Sequence, residues 1–283
     1  MNHTFPTDFS PPVQKLILLG EESTRGAGLW LDYQDQGITT EHIPELIRIL
    51  QEIEQFWPLG DMESPEVAAP VHAWRALGQL KAVEATPALI ELVVQNEELD
   101  SDWIMEEIPE VMGLLGPVCI PALGEYLQNP KRKTWACATV ANSLAEVGKQ
   151  NPESRMDCVA ALQAGLEQYA KNDDTINAFL ISYLADLKAK EAADLVERVY
   201  QAGPVDLSVM GDFEEFQIAV GLLEKRLTPR PRYGFFDNPQ LEWEADKKAR
   251  QEEERRKRQQ AQKEKKKRKQ AKKSRRGKRG KRK

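Results

Sequence analysis

The sequence predicts an all-α protein: an α-solenoid of stacked helical hairpins, followed by a basic C-terminal tail that is partly helical or disordered. Three observations predict it. The stretch HAWRALGQLKAVEATPALIELV at 72–93 returns in altered form as NAFLISYLADLKAKEAADLVERV at 177–199. Apolar residues through this region recur at three and four residues, the spacing of a helix face. The charge is split: residues 247–283 hold 22 Lys and Arg against 4 Asp and Glu, which is +18, and the whole-chain balance of −5 therefore leaves −23 for residues 1–246.

The elements follow in chain order. Residues 1–63 are expected to form an N-terminal helical cap. It contains a helix at PPVQKLILL and another at EHIPELIRILQEIEQF (41–56), where Ile43, Leu46, Ile47, Leu50 and Ile53 share a face. Residues 64–203 hold four repeats. Leu77-Gly78-Gln79-Leu80 aligns with Met112-Gly113-Leu114-Leu115, with Leu144-Ala145-Glu146-Val147 and with Leu184-Ala185-Asp186-Leu187. The small residue thus recurs at spacings of 35, 32 and 40, the period of a two-helix repeat.

In the first repeat Val67, Val71, Trp74 and Leu77 line one helix, KAVEA turns the chain, and Thr86-Pro87 is expected to supply a capping hydroxyl and an N-terminal proline. Ala88, Leu89, Leu92 and Val93 then form the inner face of the second helix. Pro121 and Asn151-Pro152 mark the same place in later repeats. The recurring small residue is expected to let the first helix approach the second helix of its own hairpin. A pair of short amphipathic helices cannot bury its apolar face alone, so stacking is required. Residues 204–227 are expected to close the stack with a capping helix at DFEEFQIAVGLLEKRL, and 228–240, with prolines in TPRPRYGFFDNPQ, reads as a linker.

The stretches HAWRALGQLKAVEATPALIEL (72–92), SDWIMEEIPEVMGLLGPVCIPALGEYL (101–127) and YLADLKAKEAADLVERV (183–199) resemble the HEAT-like repeats of bacterial HEAT-repeat domain proteins. More distantly they resemble those of phycobilin lyase subunits. The resemblance, which covers roughly residues 30–230, implies a right-handed α-solenoid of HEAT-like helical-hairpin repeats and no particular activity. Tetratricopeptide repeats fit less well, because they place an aromatic residue where Lys81 stands. Some bacterial HEAT-like proteins end in a cysteine-rich zinc module. No cysteine follows Cys158, so that function is not carried over.

Chemistry-bearing residues are sparse. The histidines, His3, His42 and His72, have no ligand spacing and are expected at surfaces or helix ends. GEESTRGAG at 20–28 lacks the lysine and preceding strand of a phosphate loop and reads as a connecting loop. Cys119, Cys137 and Cys158 sit among apolar neighbours and read as buried, reduced thiols. No residue stands in a nucleophile context, and no cofactor or metal site is predicted.

Glu97, Glu98, Asp100, Asp102, Trp103, Glu106, Glu107 and Glu110 crowd the junction of the first two repeats. They form a candidate acidic protein-binding surface that attracts a basic segment. Trp74, Trp103 and Trp135 fall in first helices and are expected in the core; Trp103 and Trp30 have acidic neighbours that make them candidates for exposure. No run of 18 apolar residues and no leader pattern is present. A soluble cytoplasmic protein of bacterial type is expected.

Residues 241–283 form the basic charged tail. Glu252 with Arg256, Glu253 with Lys257 and Glu254 with Arg258 are favourable pairs four residues apart, each contributing roughly 0.2–0.5 kcal/mol, so a helix to about 270 is expected. Beyond it too little apolar surface remains to offset chain entropy. Lys265, Lys266, Lys267, Arg268, Lys269, Lys272, Lys273, Arg275, Arg276, Lys278, Arg279, Lys281, Arg282 and Lys283 are the candidate nucleic-acid contacts. They lack interleaved aromatic residues, so any RNA or ribosome binding carries little sequence preference.

The expected function is a non-enzymatic scaffold for a protein partner, with the tail on RNA. A lyase- or chaperone-like protein similar to the phycobilin lyase subunits is the alternative. A HEAT-like DNA-repair enzyme is disfavoured by the acidic body.

Overall fold

A computed structural model describes residue 6 and residues 8–20, 30–57 and 64–231. The chain divides into two units, 1–227 and 228–283, and only residues 228–231 of the second are described. The sequence-predicted tail helix, its acid–base pairs, the candidate contacts from Lys265 to Lys283, His3 and all but Gly20 of the 20–28 loop lie outside the described residues.

Every regular element among the described residues is helical. The N-terminal part carries α1 (Pro11–Ile17), α2 (Ile43–Gln51) and α3 (Ile53–Phe56). The helix expected over 41–56 is interrupted: a 3-10 turn, Thr40–His42, leads into α2, and Glu52 separates α2 from α3. His42 holds that turn, its Nδ1 accepting the Thr39 amide at 2.9 Å.

Four hairpins follow. They are α4 (Ala69–Gln79) with α5 (Thr86–Leu99), α6 (Asp102–Leu115) with α7 (Ile120–Gln128), α8 (Thr134–Gln150) with α9 (Arg155–Leu166), and α10 (Asp174–Asp186) with α11 (Ala193–Ala202). The short α12 (Leu207–Met210) and α13 (Phe213–Val220) come last. The helix expected to run to 227 stops at Val220 because Gly221 takes a left-handed φ of 76°.

All four hairpins use one turn design. A three-residue 3-10 turn, Val83–Ala85, Pro117–Cys119, Pro152–Ser154 or Lys190–Ala192, flows directly into the second helix. Its third residue is small and buried each time: Ala85, Cys119, Ser154 and Ala192. Ahead of three of these turns one residue enters the left-handed region, Lys81 at 52°, Gly116 at 83° and Lys188 at 54°. Thr86 is therefore not the cap expected of it. It is the first helical residue, and its hydroxyl donates to the Val83 carbonyl at 2.8 Å. Pro87 and Pro121 occupy second helical positions, where no amide donor is needed, whereas Pro152 opens a 3-10 turn.

First helices pack on first helices: α4 on α6, α6 on α8 and α8 on α10. Second helices pack likewise, α5 on α7 and α7 on α9. Each second helix also meets the following unit, α5 on α6, α7 on α8, α9 on α10 and α11 on α13. At Gly78 and Gly113 the small residue makes room for the first helix of the next unit and not, as expected, for the second helix of its own hairpin; a Cβ on Gly113 would meet the Gln150 side chain at the end of α8. A Cβ on Gly78 would lie 3.1 Å from Leu114 Cδ1 and 3.4 Å from Val111 Cγ1, both on α6 of the next unit. Buried apolar side chains continue in one cluster from Phe9 to Val220.

Cys119, Cys137 and Cys158 are free and buried in that cluster. Burial pushes the Cys137 thiol up to about 12 and that of Cys158 to about 11, so both stay protonated and unreactive at neutral pH.

Candidate functional site

The first-helix layer carries two polar and aromatic regions that differ in solvent access. At its N-terminal end the groups turn inward. His72 on α4, expected at a surface, is fully buried. Its Nε2 lies 3.2 Å from the Gly20 carbonyl, which can only accept, so Nε2 carries the proton and Nδ1 accepts the Tyr33 hydroxyl at 2.7 Å. Burial, opposed in part by the Gly20 contact, lowers its pKa to about 4 and keeps the ring neutral. Burial likewise raises the Tyr33 hydroxyl far above its ordinary value.

Glu107 was expected on the acidic surface, but α6 turns it under α4. Its Oε2 accepts Trp74 Nε1 at 2.8 Å and Arg75 Nε at 2.7 Å, while Oε1 takes a second guanidinium hydrogen bond. Burial works against the charge on Arg75, yet these bonds to Glu107 leave its pKa raised. Two charge-assisted hydrogen bonds from the guanidinium to one carboxylate explain how a buried arginine is tolerated. Trp30 covers the guanidinium at 5.4 Å, and Trp57 stands edge-on to Trp74 and tilted against Trp103. Trp30 and Trp103 are consequently half-buried, packed against the core.

The remaining candidate acids, Glu97, Glu98, Asp100, Asp102, Glu106 and Glu110, stay exposed. Asn96 joins α5 to α6 by exchanging hydrogen bonds with the Ser101 backbone at 3.0 and 3.1 Å, and Asp100 takes a left-handed φ of 49° between them.

Further along the layer the aromatic groups face out. Trp135, expected in the core, is 52% exposed. Acidic contacts at two helix N-termini fix its surroundings. Glu97 Oε1 accepts the Trp135 amide at 3.1 Å, and Asp173 accepts the Thr134 hydroxyl at 2.6 Å and, on its other oxygen, the Ile176 amide at 2.7 Å. Phe179 of α10 meets the Trp135 ring edge-on at 6.0 Å, and Tyr183 stacks on Phe179 at 6.1 Å. Neither Phe179 nor Tyr183 is fully covered.

Carboxylates border this aromatic row. Lys149 Nζ lies 3.0 Å from both Glu146 on α8 and Asp186 on α10. Burial first, and then the charges of Asp186 and Glu146, push the Tyr183 hydroxyl up to about 12. Burial first, and then the charges of Glu107 and Glu146, hold the Glu110 carboxyl above its usual range. Glu107, Glu110, Glu146 and Asp186 thus cross three helices with Arg75 and Lys149 as their counter-charges. Sequence reasoning missed Glu146, Phe179, Tyr183 and Asp186; the repeat alignment carried the signal, since Trp103 and Trp135 both lie ten residues before their small residue.

A cleft of about 560 Å³ opens on the second-helix layer. Pro87, Ile90 and Glu91 of α5 line one side, and Ala122, Glu125, Tyr126, Gln128 and Asn129, from α7 and its end, line the other. Among the described residues no three of His, Cys, Asp and Glu converge as metal ligands, and no single helix is long and apolar enough to cross a membrane. No family model, no curated protein and no solved structure matches the chain.

Proposed function

We propose that this protein is a right-handed, HEAT-like α-solenoid that acts as a non-enzymatic scaffold. The first-helix face holds a protein partner, and the basic tail contacts RNA, ribosomal RNA included, without sequence preference. The single observation that carries the reading is the outward aromatic row. A fold that encloses Trp74 completely leaves Trp135 half in water, in contact with Phe179, on which Tyr183 stacks.

The common hairpin turn and the stacking of each unit on the next support the solenoid. The 22 basic residues of 247–283 support the polyanion contact. Tyr33 lies buried against His72, and the 560 Å³ cleft is lined by residues other than Trp30, Tyr33 and Trp103, which counts against a lyase-type ligand groove.

The test is affinity capture with the full chain beside a 1–246 truncation, with and without nuclease, across a salt series. RNA is expected with the full chain only, and six to ten phosphate contacts imply a loss of about 10³- to 10⁵-fold in affinity between 50 and 200 mM salt. A protein partner is expected with both chains and is lost in Trp135→Ala. Salt-insensitive capture of RNA, or no partner dependent on Trp135, would overturn the reading.

A further inference from the structure

Resting on that first-helix face as the binding surface, we infer that its occupant is an extended, arginine-rich polypeptide segment. One guanidinium of the segment stacks on Trp135, and further cationic side chains follow Phe179 and Tyr183 toward Glu146, Asp186 and Glu110. Three features of the face favour this chemistry over other partners.

The first is charge. Glu97 accepts the Trp135 backbone amide and Asp173 the Thr134 hydroxyl, so both carboxylates sit at the start of α8, while Glu146 and Asp186 act on Tyr183 at the other end of the row and Glu110 acts with Glu146. A wholly apolar partner would strip water from these carboxylates without replacing it, and an acidic segment or a nucleic acid would be repelled. A cation adds to Lys149, which by itself faces both Glu146 and Asp186. The Glu110 carboxyl, held up by burial first and then by the charges of Glu107 and Glu146, is one group such a cation would favour in its ionised form.

The second is the aromatic surface. A ring face carries a negative quadrupole, and guanidinium is the side-chain cation that stacks on it flat while still donating hydrogen bonds at its edge. Trp135 is the exposed indole of this row, and a carboxylate already reaches its own backbone amide. A guanidinium on this ring thus lies on the residue whose backbone amide Glu97 already holds.

The third is spacing. Trp135 to Phe179 and Phe179 to Tyr183 are steps of 6.0 and 6.1 Å. Alternate residues of an extended chain lie about 6.6 Å apart and point to the same side, so every second side chain of an extended segment meets the next ring.

The test uses the full chain and three dye-labelled peptides of ten residues in fluorescence anisotropy at about 50 mM salt: alternating Arg-Ser, alternating Lys-Ser and alternating Glu-Ser. Arg-Ser is expected to bind more tightly than Lys-Ser, and Glu-Ser is expected not to bind. Trp135→Ala is expected to weaken Arg-Ser about tenfold and to narrow the arginine preference, and Trp135→Phe to restore part of both. Glu146→Gln is expected to weaken both cationic peptides, and Glu84→Gln, on an exposed hairpin turn, to change neither. An unchanged melting temperature in Trp135→Ala separates lost binding from lost fold.

Equal binding of Arg-Ser to the wild type and Trp135→Ala, or no binding at all, overturns the inference. If Arg-Ser fails while a captured protein still depends on Trp135, the face binds a partner of other chemistry and only this inference falls. If capture is indifferent to Trp135, the scaffold reading falls with it.

Discussion

Trp103 and Trp135 occupy the same place in successive repeats, ten residues before Gly113 and Ala145, yet one packs against the core and the other stands in water. The difference lies in their neighbours. Trp103 finds the Trp57 ring from the N-terminal cap, which itself rests on Trp74. Trp135 finds only the edge of Phe179, and more than half of it remains exposed. An aromatic residue on a repeat helix is thus core or platform according to what the adjacent unit brings over it. The polar groups follow the same division: His72 and Arg75 are enclosed and paired, while Glu146 and Asp186 are shared with a single, partly exposed lysine.

The strongest way to break the enclosed region is to remove its central acceptor. Glu107→Ala leaves Arg75 charged and buried, and should cost about 3–5 kcal/mol in denaturant unfolding. Arg75→Met combined with Glu107→Gln should recover most of that loss, because the buried charge leaves together with its partner while the amide oxygen still accepts Trp74 Nε1. A double variant as unstable as the single one would show that the pair does more than neutralise itself.

Acid tests the same region through His72. Its folded pKa, about 4, lies below the unfolded value of 6.5, so the unfolded state binds the proton first. The stability tied to the neutral ring is complete above pH 6.5 and falls away as pH drops toward 4, by about 3 kcal/mol. Unfolding free energies measured at intervals from pH 7 to 4 should slope less in His72→Gln than in the wild type. Parallel slopes would mean that the carboxylates alone govern the acid limb.

The sharpest comparison is also the smallest effect. Trp103→Ala should cost about 2 kcal/mol through lost packing, whereas Trp135→Ala should cost less than about 0.5 kcal/mol. Thermal melts of the two variants side by side check this. Equal losses would mean that Trp135 is buried in solution and that no aromatic platform exists.

Much of the helical framework was legible because its causes are local. Helical spacing marked Val71, Trp74 and Leu77 as inward, and small residues recurring at spacings of 35, 32 and 40 marked the hairpins. Contacts between repeats were harder to see, although they share a signature. Arg75 with Glu107, Lys149 with Asp186, Arg155 with Glu191 and the Trp135 amide with Glu97 are separated by 32, 37, 36 and 38 residues, close to one repeat. Complementary charges one period apart are therefore the signal that would have removed Glu107 from the acidic surface. The 3-10 turn that displaced Thr86 from its capping role had a weaker trace, a small residue at 85, 119, 154 and 192.

The sequence by itself determined that this chain is helical, that its hairpins repeat, that its thiols lie among apolar residues, and that its charge is divided between body and tail. Periodicity and composition act over a few residues or over the whole chain, and both can be read from a string. Only the tertiary structure decided that Gly78 accommodates the next unit, that His72 and Glu107 face inward, and that Trp135 faces out. Those outcomes depend on the side chain that the neighbouring repeat places against each helix, which the helix's own residues do not specify.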